Sequence, residues 1–245
     1  MNQTLKELAE RKSVRDFTDR PIGPEEKTAI LRTAVQAPTA GCQQLYTILD
    51  VTDPQLKEKL AESCDHQPFI ARAPLVLIFC ADAQKWYDAY QLAGCVPRLP
   101  GEGDLLLAVD DALIAAQNAV TAAWSLGIGS CYIGDIMEQY TLHREFLNLP
   151  EYVFPAAMLV FGYPTEQQLR RPKPIRCDMD LIVRENVYSR LTEPELKRMV
   201  AQDCPETDFP EWMRAFCERK YNSDFSREMT DSVRRYLEAF GDRTE

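Results

Sequence analysis

The chain has 245 residues, of which 45% are hydrophobic and 27% charged, as in an ordinary globular protein that can bury a full core. Its formal net charge of −10 argues against a nucleic-acid partner or an anionic membrane surface, because both recruit an excess of Lys and Arg. The N-terminus lacks the apolar core of a signal peptide, and no apolar run approaches the roughly 20 residues needed to span a bilayer. We therefore expect neither a nucleic-acid nor a membrane partner.

The cysteines and histidines show no spacing typical of a metal site. Among eight cysteines no Cys-x-x-Cys pair occurs, and the two histidines, His66 and His143, are far apart in the sequence. Cys80 ends an apolar run, where a cysteine packs as a small reduced side chain. The pattern indicates a cytoplasmic protein without a metal.

The first segment of functional interest is the basic stretch from Arg11 to Phe17. Arg11, Ser13 and Arg15 alternate, so in an extended backbone their side chains share one face. Two guanidinium groups and a hydroxyl on one face suit a phosphate, because Arg presents a planar fork of donors to anionic oxygens. The alternative is a solvated basic loop.

Helices and strands alternate along the next part of the chain. The patterns predict a helix that opens with a capping box at Thr4, a second helix from Pro24, and strands at 46–51, 75–80, 129–133 and 156–161. Residues 75–80 are apolar without alternation, as expected for a strand covered on both faces. An alanine-rich helix with Asp104 as its cap is predicted over 104–126, with core packing and a subunit interface as open alternatives for its small residues.

Four further segments could line or cover a ligand site. Small residues in the turn 37–44 and in the glycine turn after 129–133 would let backbone amides approach a flat ligand. A second cation cluster at 170–176 contains prolines that stiffen it as an extended arm. Residues 83–103 form an aromatic-rich excursion or lid. A plain connecting loop and a solvated linker are the alternatives for the turn 37–44 and for the arm.

Together, these segments point to a bound phosphorylated ligand, although the usual phosphate motifs are absent. The sequence has neither a Walker-A loop nor a Gly-x-Gly-x-x-Gly turn after a strand. No Ser-His-Asp or Cys-His arrangement stands out either. Chemistry supplied by a cofactor fits better, with the protein providing position and electrostatics.

Several motifs, in order over about residues 4–190, resemble the FMN-dependent nitroreductase family. They are ERKSVRDFTDRPI, APTAGCQQLYTI, HQPFIARAPLVLIFCAD, AAQNAVTAAWSLGIGSCYIGDI and LVFGYPTEQQLRRPKPIR followed by LIVRENVY. The likeness is greatest to the group that contains the oxygen-insensitive NADPH nitroreductase and the flavin reductase of luminous bacteria. It implies an α+β homodimer with a central mixed or antiparallel sheet flanked by helices, an FMN-binding domain at 1–190 and a helical C-terminal extension at 191–245 that packs on it.

The resemblance also assigns cofactor-binding residues, two FMN sites lying at the subunit interface. Arg11, Lys12, Ser13 and Arg15 would hold the FMN phosphate and ribityl chain, with Arg171 and Lys173 as a second basic pair. The partner subunit would place a loop around the flavin that contains Pro38, Thr39, Ala40, Cys42 and Gln44. Gln67 matches a polar contact to the flavin, and the turn Tyr132, Ile133, Gly134 and Asp135 would cover the ring.

Three positions depart from the family pattern. Cys42 stands where many members have Asn, Asp135 where the similar group has Gly, and Met137 where a basic residue is common. The first two positions bear on flavin redox tuning, and the third removes a cation that could help bind a substrate or a nicotinamide phosphate.

The activity that the resemblance implies is reduction of nitroaromatic or quinone-like acceptors by NADPH or NADH in a ping-pong cycle through FMN, without a catalytic protein nucleophile. Alternatives are a flavin reductase, a reductive dehalogenase, an ene-reductase or a flavin-degrading enzyme on the same fold, and a non-enzymatic FMN-binding module. Arg219 and Lys220 are candidates for the nicotinamide contact, with a solvated helix face as the alternative.

Overall fold

The computed structural model describes residues 1–204 and 208–241. Within these described ranges, residues 1–171 and 228–241 form one compact unit, and the residues between 172 and 227 form a second. All strands of the sheet and the candidate residues 11–135 lie in the first unit. The proposed division into domains at residue 190 stays a prediction.

The sheet has four strands, β1 (Tyr46–Asp50), β2 (Leu75–Asp82), β3 (Gly129–Ile133) and β4 (Val153–Gly162), in the order β1-β2-β4-β3. Every neighbouring pair is antiparallel. The predicted strands are therefore present, and β4 starts three residues earlier than its apolar pattern suggested. The α+β prediction with a central antiparallel sheet is confirmed.

Eleven helices are found in the described residues: α1 (Gln3–Glu10), α2 (Pro24–Ala34), α3 (Pro54–Ser63), α4 (Pro68–Arg72), α5 (Gln84–Leu92), α6 (Glu102–Ser125), α7 (Tyr140–Leu147), α8 (Glu166–Arg170), α9 (Glu193–Val200), α10 (Phe209–Lys220) and α11 (Asp224–Phe240). The aromatic segment 83–103 contains α5. Of the predicted extension 191–245, the described parts contain α9, α10 and α11.

Strand β2 is buried along its whole length, as its apolar run predicted. Leu77 and Phe79 face one layer of the core, which includes residues of α2, α6 and α11. Val76 and Ile78 face the other layer, which includes residues of α3 and α4. The strand lacks a polar alternation because helices cover both of its faces.

Pro155 lies inside β4, a position that usually opposes a strand assignment because proline cannot donate a hydrogen bond. The pairing with β2 shifts here: Phe79 is opposite Ala157, whereas Cys80 is opposite Pro155. A bulge of this kind places the proline where the regular ladder is already interrupted.

Helix α6 is the central helix of the first unit. Its buried residues include six alanines, which allow close approach to the sheet and to α2. The helix would also fit a membrane span by length and composition, with a mean hydropathy of 1.3, which the sequence analysis did not expect. Its buried alanines belong to the core of the unit.

Two predicted helix caps are wrong. Helix α1 is capped by Asn2, whose side chain accepts a hydrogen bond from the amide of Leu5, so Thr4 lies inside the helix. Helix α6 is capped by Gly101, and Asp104 is its third residue, whose carboxylate accepts from the Gly101 amide at 2.8 Å. In both places a residue earlier in the chain provides the turn into the helix.

Candidate functional site

The basic segment runs extended across the ends of two strands. Ser13 forms a parallel bridge with Ser130 of β3, and Phe17 forms an antiparallel bridge with Pro164. The Val14 side chain is fully buried, whereas Ser13 and Arg15 are exposed. The structure thus has the alternation that the sequence predicted.

Two glycines of the sheet make room for this segment. Gly129 and Gly162 are opposite each other in the β3–β4 pair. A Cβ atom on Gly129 would lie 2.6 Å from Val14, and one on Gly162 would lie 2.6 Å from the ring of Phe17. Real Cβ contacts are never this short, so any larger residue would displace the basic segment.

The side chains of Arg11, Ser13 and Arg15 converge on β3. Burial raises the pKa of the Cys131 thiol, while Arg15, Ser13 and Arg11 act in the opposite direction. Arg11 also lowers the pKa of Tyr132, which burial raises to about 12. The three residues therefore present two positive charges and a hydroxyl along one edge of the sheet.

Lys12 has a different role from its neighbours. Its ammonium donates hydrogen bonds to the backbone carbonyls of Leu169, at 2.8 Å, and Arg171. It thereby ties the basic segment to the C-terminal end of α8, and brings Arg171 to the same region. Lys173 lies in the second compact unit.

The loop 39–44 has an unusual backbone. Gly41, Cys42 and Gln44 all adopt left-handed conformations, with φ of 55°, 57° and 50°. Such values are rare for residues other than Gly, Asn and Asp, and the loop therefore needs support from its surroundings.

Asp111 supplies that support from the middle of α6. Its buried carboxylate accepts hydrogen bonds from the amides of Ala40, at 2.9 Å, and Leu45, at 3.0 Å. The Thr39 hydroxyl accepts from the Gln44 amide at 3.0 Å. A carboxylate in an apolar alanine-rich helix was the only sequence signal for this contact, which the sequence analysis missed.

Helix α5 holds the loop from the other side. The indole of Trp86 donates to the backbone carbonyl of Gln43 at 2.7 Å, and the side-chain Nε2 of Gln43 donates to the Tyr90 hydroxyl at 3.3 Å. Both bonds involve the aromatic segment that the sequence left as an excursion or lid. This segment thus buttresses the loop 39–44.

The turn 134–137 follows β3 and is held through its carbonyl groups. The Asp135 carbonyl accepts from the amide of Glu138, at 3.0 Å, and the Ile136 carbonyl is 2.9 Å from Nδ1 of His143. The Met137 carbonyl accepts from the hydroxyl of Ser232, in α11, at 2.7 Å. Gly134 is exposed, and a Cβ added there would meet no atom of residues 1–204 or 208–241 within 4 Å. The outer face of the turn is therefore open to a ligand.

Gln67 and Asp135, both candidates from the sequence, are in contact. The Gln67 side chain donates to the Asp135 carboxylate at 3.0 Å and to the Cys64 carbonyl at 2.8 Å. Ile133 is buried beside them, and Tyr132 points outward, with its hydroxyl 3.4 Å from the Gln117 side chain. Gln67 and the turn 134–137 therefore lie next to each other.

Arg219 and Lys220 are exposed at the end of α10 in the second unit. The guanidinium carbon of Arg219 is 5.1 Å from the ring centroid of Phe216, and the Lys220 ammonium is 5.9 Å from that of Phe225. Each cation is thus stacked near an aromatic ring of its own unit.

Comparison with known proteins identifies the family of this chain. The profile of the family described as "Nitroreductase family" matches residues 8–163, more than half of the chain. An FMN reductase [NAD(P)H] of Bacillus subtilis is 29% identical over 242 residues, covering 97% of this chain and 92% of the relative. An oxygen-insensitive NADPH nitroreductase of Salmonella typhimurium is 34% identical over 199 residues, covering 81% and 80%.

Among solved structures, NfrA2 of B. megaterium superimposes with a TM-score of 0.85 at 29% identity, covering 98% of both chains. A putative oxidoreductase of Bacteroides fragilis superimposes with a TM-score of 0.86 at 28% identity, covering 97% of this chain and all of the other. These matches confirm the resemblance that the sequence motifs suggested. The chain belongs to the nitroreductase family.

Proposed function

We propose that the protein is an FMN-dependent oxidoreductase that uses NADPH or NADH to reduce nitroaromatic or quinone-like acceptors. The observation that carries the proposal is the shared exposed face of Arg11, Ser13 and Arg15, anchored over the glycine pair of β3 and β4. The relatives named FMN reductase and NADPH nitroreductase support the same chemistry.

The residues present fit FMN in charge and in shape. Two guanidinium groups and a hydroxyl on one edge suit a phosphate dianion. The open side of Gly134 leaves space for a flat ring beside the turn 134–137, and Gln67 stands next to that turn. Lys12 acts by holding Arg171 in place, and Lys173 is proposed as a further cation for the phosphate.

When bound, FMN supplies the hydride chemistry, and the protein's part is to bind, orient and exclude water. Arg11 and Arg15 would neutralise the phosphate, and the turn 134–137 would fix the ring against Gln67 and Asp135. No protein nucleophile is required. Asp135 adds a carboxylate to the turn 134–137, and its charge would disfavour a negatively charged reduced ring.

A second copy of the chain would complete the site. Exposed apolar side chains on α6 (Leu106 64%, Leu107 49%, Leu113 38% and Ile114 41%) accompany Leu5 54% and Leu8 45% on α1, the helix that packs on it. Contiguous exposed apolar surface of this kind marks protein interfaces. We propose a homodimer in which the partner's loop with Pro38, Thr39, Ala40, Cys42 and Gln44 closes over the flavin.

The dimer can be tested with charged substitutions. Leu106→Glu combined with Leu113→Glu should give monomers in sedimentation and reduce FMN retention. Leu92→Glu, which changes a 91% exposed leucine of α5, is the matched control and should leave both unchanged. Dimers that persist in the double variant would place the interface elsewhere.

Arg219 and Lys220 are proposed to contact the nicotinamide nucleotide. Alanine substitution of both should lower the preference for NADPH over NADH, measured as the ratio of kcat/KM values. Arg214→Ala, on the exposed part of the same helix, is the control. An unchanged ratio in the double variant would contradict this assignment.

A flavin reductase is the second candidate, and one observation favours it. The relatives named FMN reductase from Bacillus subtilis match 97% and 96% of this chain, including its C-terminal part, whereas the nitroreductase relative matches 81%. The two candidates share the cofactor site and differ in which acceptor follows the nicotinamide.

Anaerobic turnover tests these candidates. The FMN-loaded protein should bleach with NADPH and recover its colour on addition of nitrobenzoate; recovery only with free FMN would select the flavin reductase. Bleaching without recovery by either acceptor would favour a different reaction on the same fold.

FMN binding is tested separately by substitution of an arginine. Arg15→Met should weaken FMN binding at least tenfold, whereas Arg32→Met, which changes an exposed arginine of α2, should not. A protein that does not take up FMN would contradict the whole proposal.

The eight cysteines are all free thiols, and four of them are buried. Reduced thiols suit a reducing compartment, which supports the proposal that the protein acts in the cytoplasm.

A further inference from the structure

Glu138, which follows the turn 134–137, is a buried carboxyl group without a full set of partners. It is 5% exposed, and its Oε1 has no hydrogen-bond partner in the described part of the chain. Burial, followed by the charges of Asp135, Glu228 and Asp65, raises its pKa from the ordinary 4.5 to about 7. A group in this position holds a proton that an exposed glutamate would release.

The titratable groups around Glu138 come from four elements: Cys64 and Asp65 after α3, Asp135 in the turn, His143 in α7 and Glu228 in α11. Burial raises the pKa of Cys64 to about 12 and lowers that of His143, so neither is charged at neutral pH. The remaining three are carboxylates. None of these groups supplies the positive charge that an ionised Glu138 would need.

Helix α11 contacts the chain on both sides of this carboxyl. Oε1 of Glu228 accepts from the amide of Gln139 at 2.9 Å, while its Oε2 is buried without a hydrogen-bond partner among the described residues. One helical turn later, Ser232 donates to the Met137 carbonyl at 2.7 Å. The contact between α11 and the turn therefore includes Glu138 in its centre.

We propose that Glu138 is a positioning residue that carries a proton in the folded protein in mildly acidic solution, and that this proton keeps α11 packed on the turn 134–137. Loss of the proton to water leaves a carboxylate facing Asp135, Glu228 and Asp65 in a buried space. The repulsion acts on Glu228 of α11, whose carboxylate contributes to raising the pKa of Glu138. The Ser232 bond to Met137 weakens with it.

The pH range follows from the direction of the shift. The folded protein binds the proton more tightly than the unfolded chain, so Glu138 contributes stability that is full below pH 4.5 and is lost as the pH rises to about 7. Glu138→Gln keeps the shape and mimics the protonated group. Its advantage over the unmodified protein should be small at pH 5 and large at pH 8.

Thermal unfolding of the protein without added flavin tests this directly. The melting temperature of Glu138→Gln minus that of the unmodified protein should grow by about 5 °C between pH 5 and pH 8. Glu145→Gln makes the same change of charge at an exposed position on α7 and should show no such growth. A difference for Glu138→Gln that is constant with pH would overturn the proposal.

A second variant keeps the test independent of how well Glu138→Gln folds. Glu228→Gln removes one of the facing charges while retaining an oxygen that can accept from Gln139. Glu138 should then ionise more easily, and the loss of melting temperature with rising pH should become smaller than in the unmodified protein. An unchanged pH profile would show that Glu228 does not face the titrating group.

The consequence for the cofactor rests on the proposed function. If the turn covers the flavin, the Kd for FMN should rise at least threefold from pH 6 to pH 8.5 in the unmodified protein and stay constant in Glu138→Gln. Failure of FMN to bind either protein would contradict the proposed function, whereas the unfolding measurements would still decide the role of Glu138. Equal pH dependence of Kd in both proteins would remove the link between the proton and the turn.

Discussion

Gly129 and Gly162 face each other in the β3–β4 pair, and the side chains of Val14 and Phe17 lie in the space that their missing Cβ atoms leave. The pair thus determines where the basic segment crosses the sheet. The proposed phosphate site at this edge would therefore depend on two residues that have no polar side chain.

Substitution of either glycine should therefore displace the segment. Gly129→Ala or Gly162→Ala is expected to cost about 1–3 kcal/mol of stability, because the added methyl overpacks a filled core, and to weaken FMN binding. Gly103→Ala, in the first turn of α6 with nothing within 4 Å of the new Cβ, is the control. Chemical denaturation and flavin titration measure both effects; unchanged stability in the first two variants would mean that the segment can move freely.

Asp111 should be essential for the loop 39–44. Asp111→Ala leaves two amides without their acceptor and is expected to destabilise the protein by about 2–4 kcal/mol. Asp110→Ala changes the exposed neighbour on the same helix and should cost less than about 0.5 kcal/mol. Urea unfolding compares them, and similar losses in the two variants would count against the contact.

The expected effect of Lys12 is on position and not on charge at the phosphate. Lys12→Met removes two hydrogen bonds to the carbonyls of Leu169 and Arg171, so the segment 169–171 should become more accessible to proteases. FMN affinity should fall about tenfold through the displacement of Arg171. Lys6→Met, an exposed change on α1, is the comparison. Unaltered proteolysis at 169–171 would show that the hydrogen bonds of Lys12 do not hold this segment.

Cys42 occupies a left-handed backbone position that Asn tolerates better. Cys42→Asn should raise the free energy of unfolding by about 0.5–1 kcal/mol, whereas Cys95→Asn, an exposed cysteine not among the positive-φ residues, should not. Calorimetry on both variants checks this. A destabilised Cys42→Asn would indicate that the thiol has a contact that outweighs the backbone strain.

Local pattern was sufficient for much of the fold. The apolar run of β2 and the alternation from Arg11 to Arg15 depend on neighbours in sequence, and both are present as predicted. The capping errors at Thr4 and Asp104 also arose locally, since an earlier residue could serve as the cap in each case.

The supports of the site were not predictable in the same way. Asp111 bonds to loop residues that are 66 and 71 positions away in the sequence. The glycines that make room for Val14 and Phe17 are more than 110 residues away from them. Such contacts arise only once the sheet and α6 are assembled. One buried carboxylate among several acidic residues of an alanine-rich helix, and two glycines at strand ends, show no distinctive spacing.

Helix α6 carries both Asp111 and the exposed leucines 106, 107 and 113, within a rod of 24 residues, about 36 Å long. A single helix therefore connects the loop that Asp111 holds to the surface proposed to contact the second copy. In a symmetric dimer, α6 of each subunit would lie at the interface. A structural change at one proposed flavin site would then be transmitted to the other site through the packed α6 helices, without movement of the sheets.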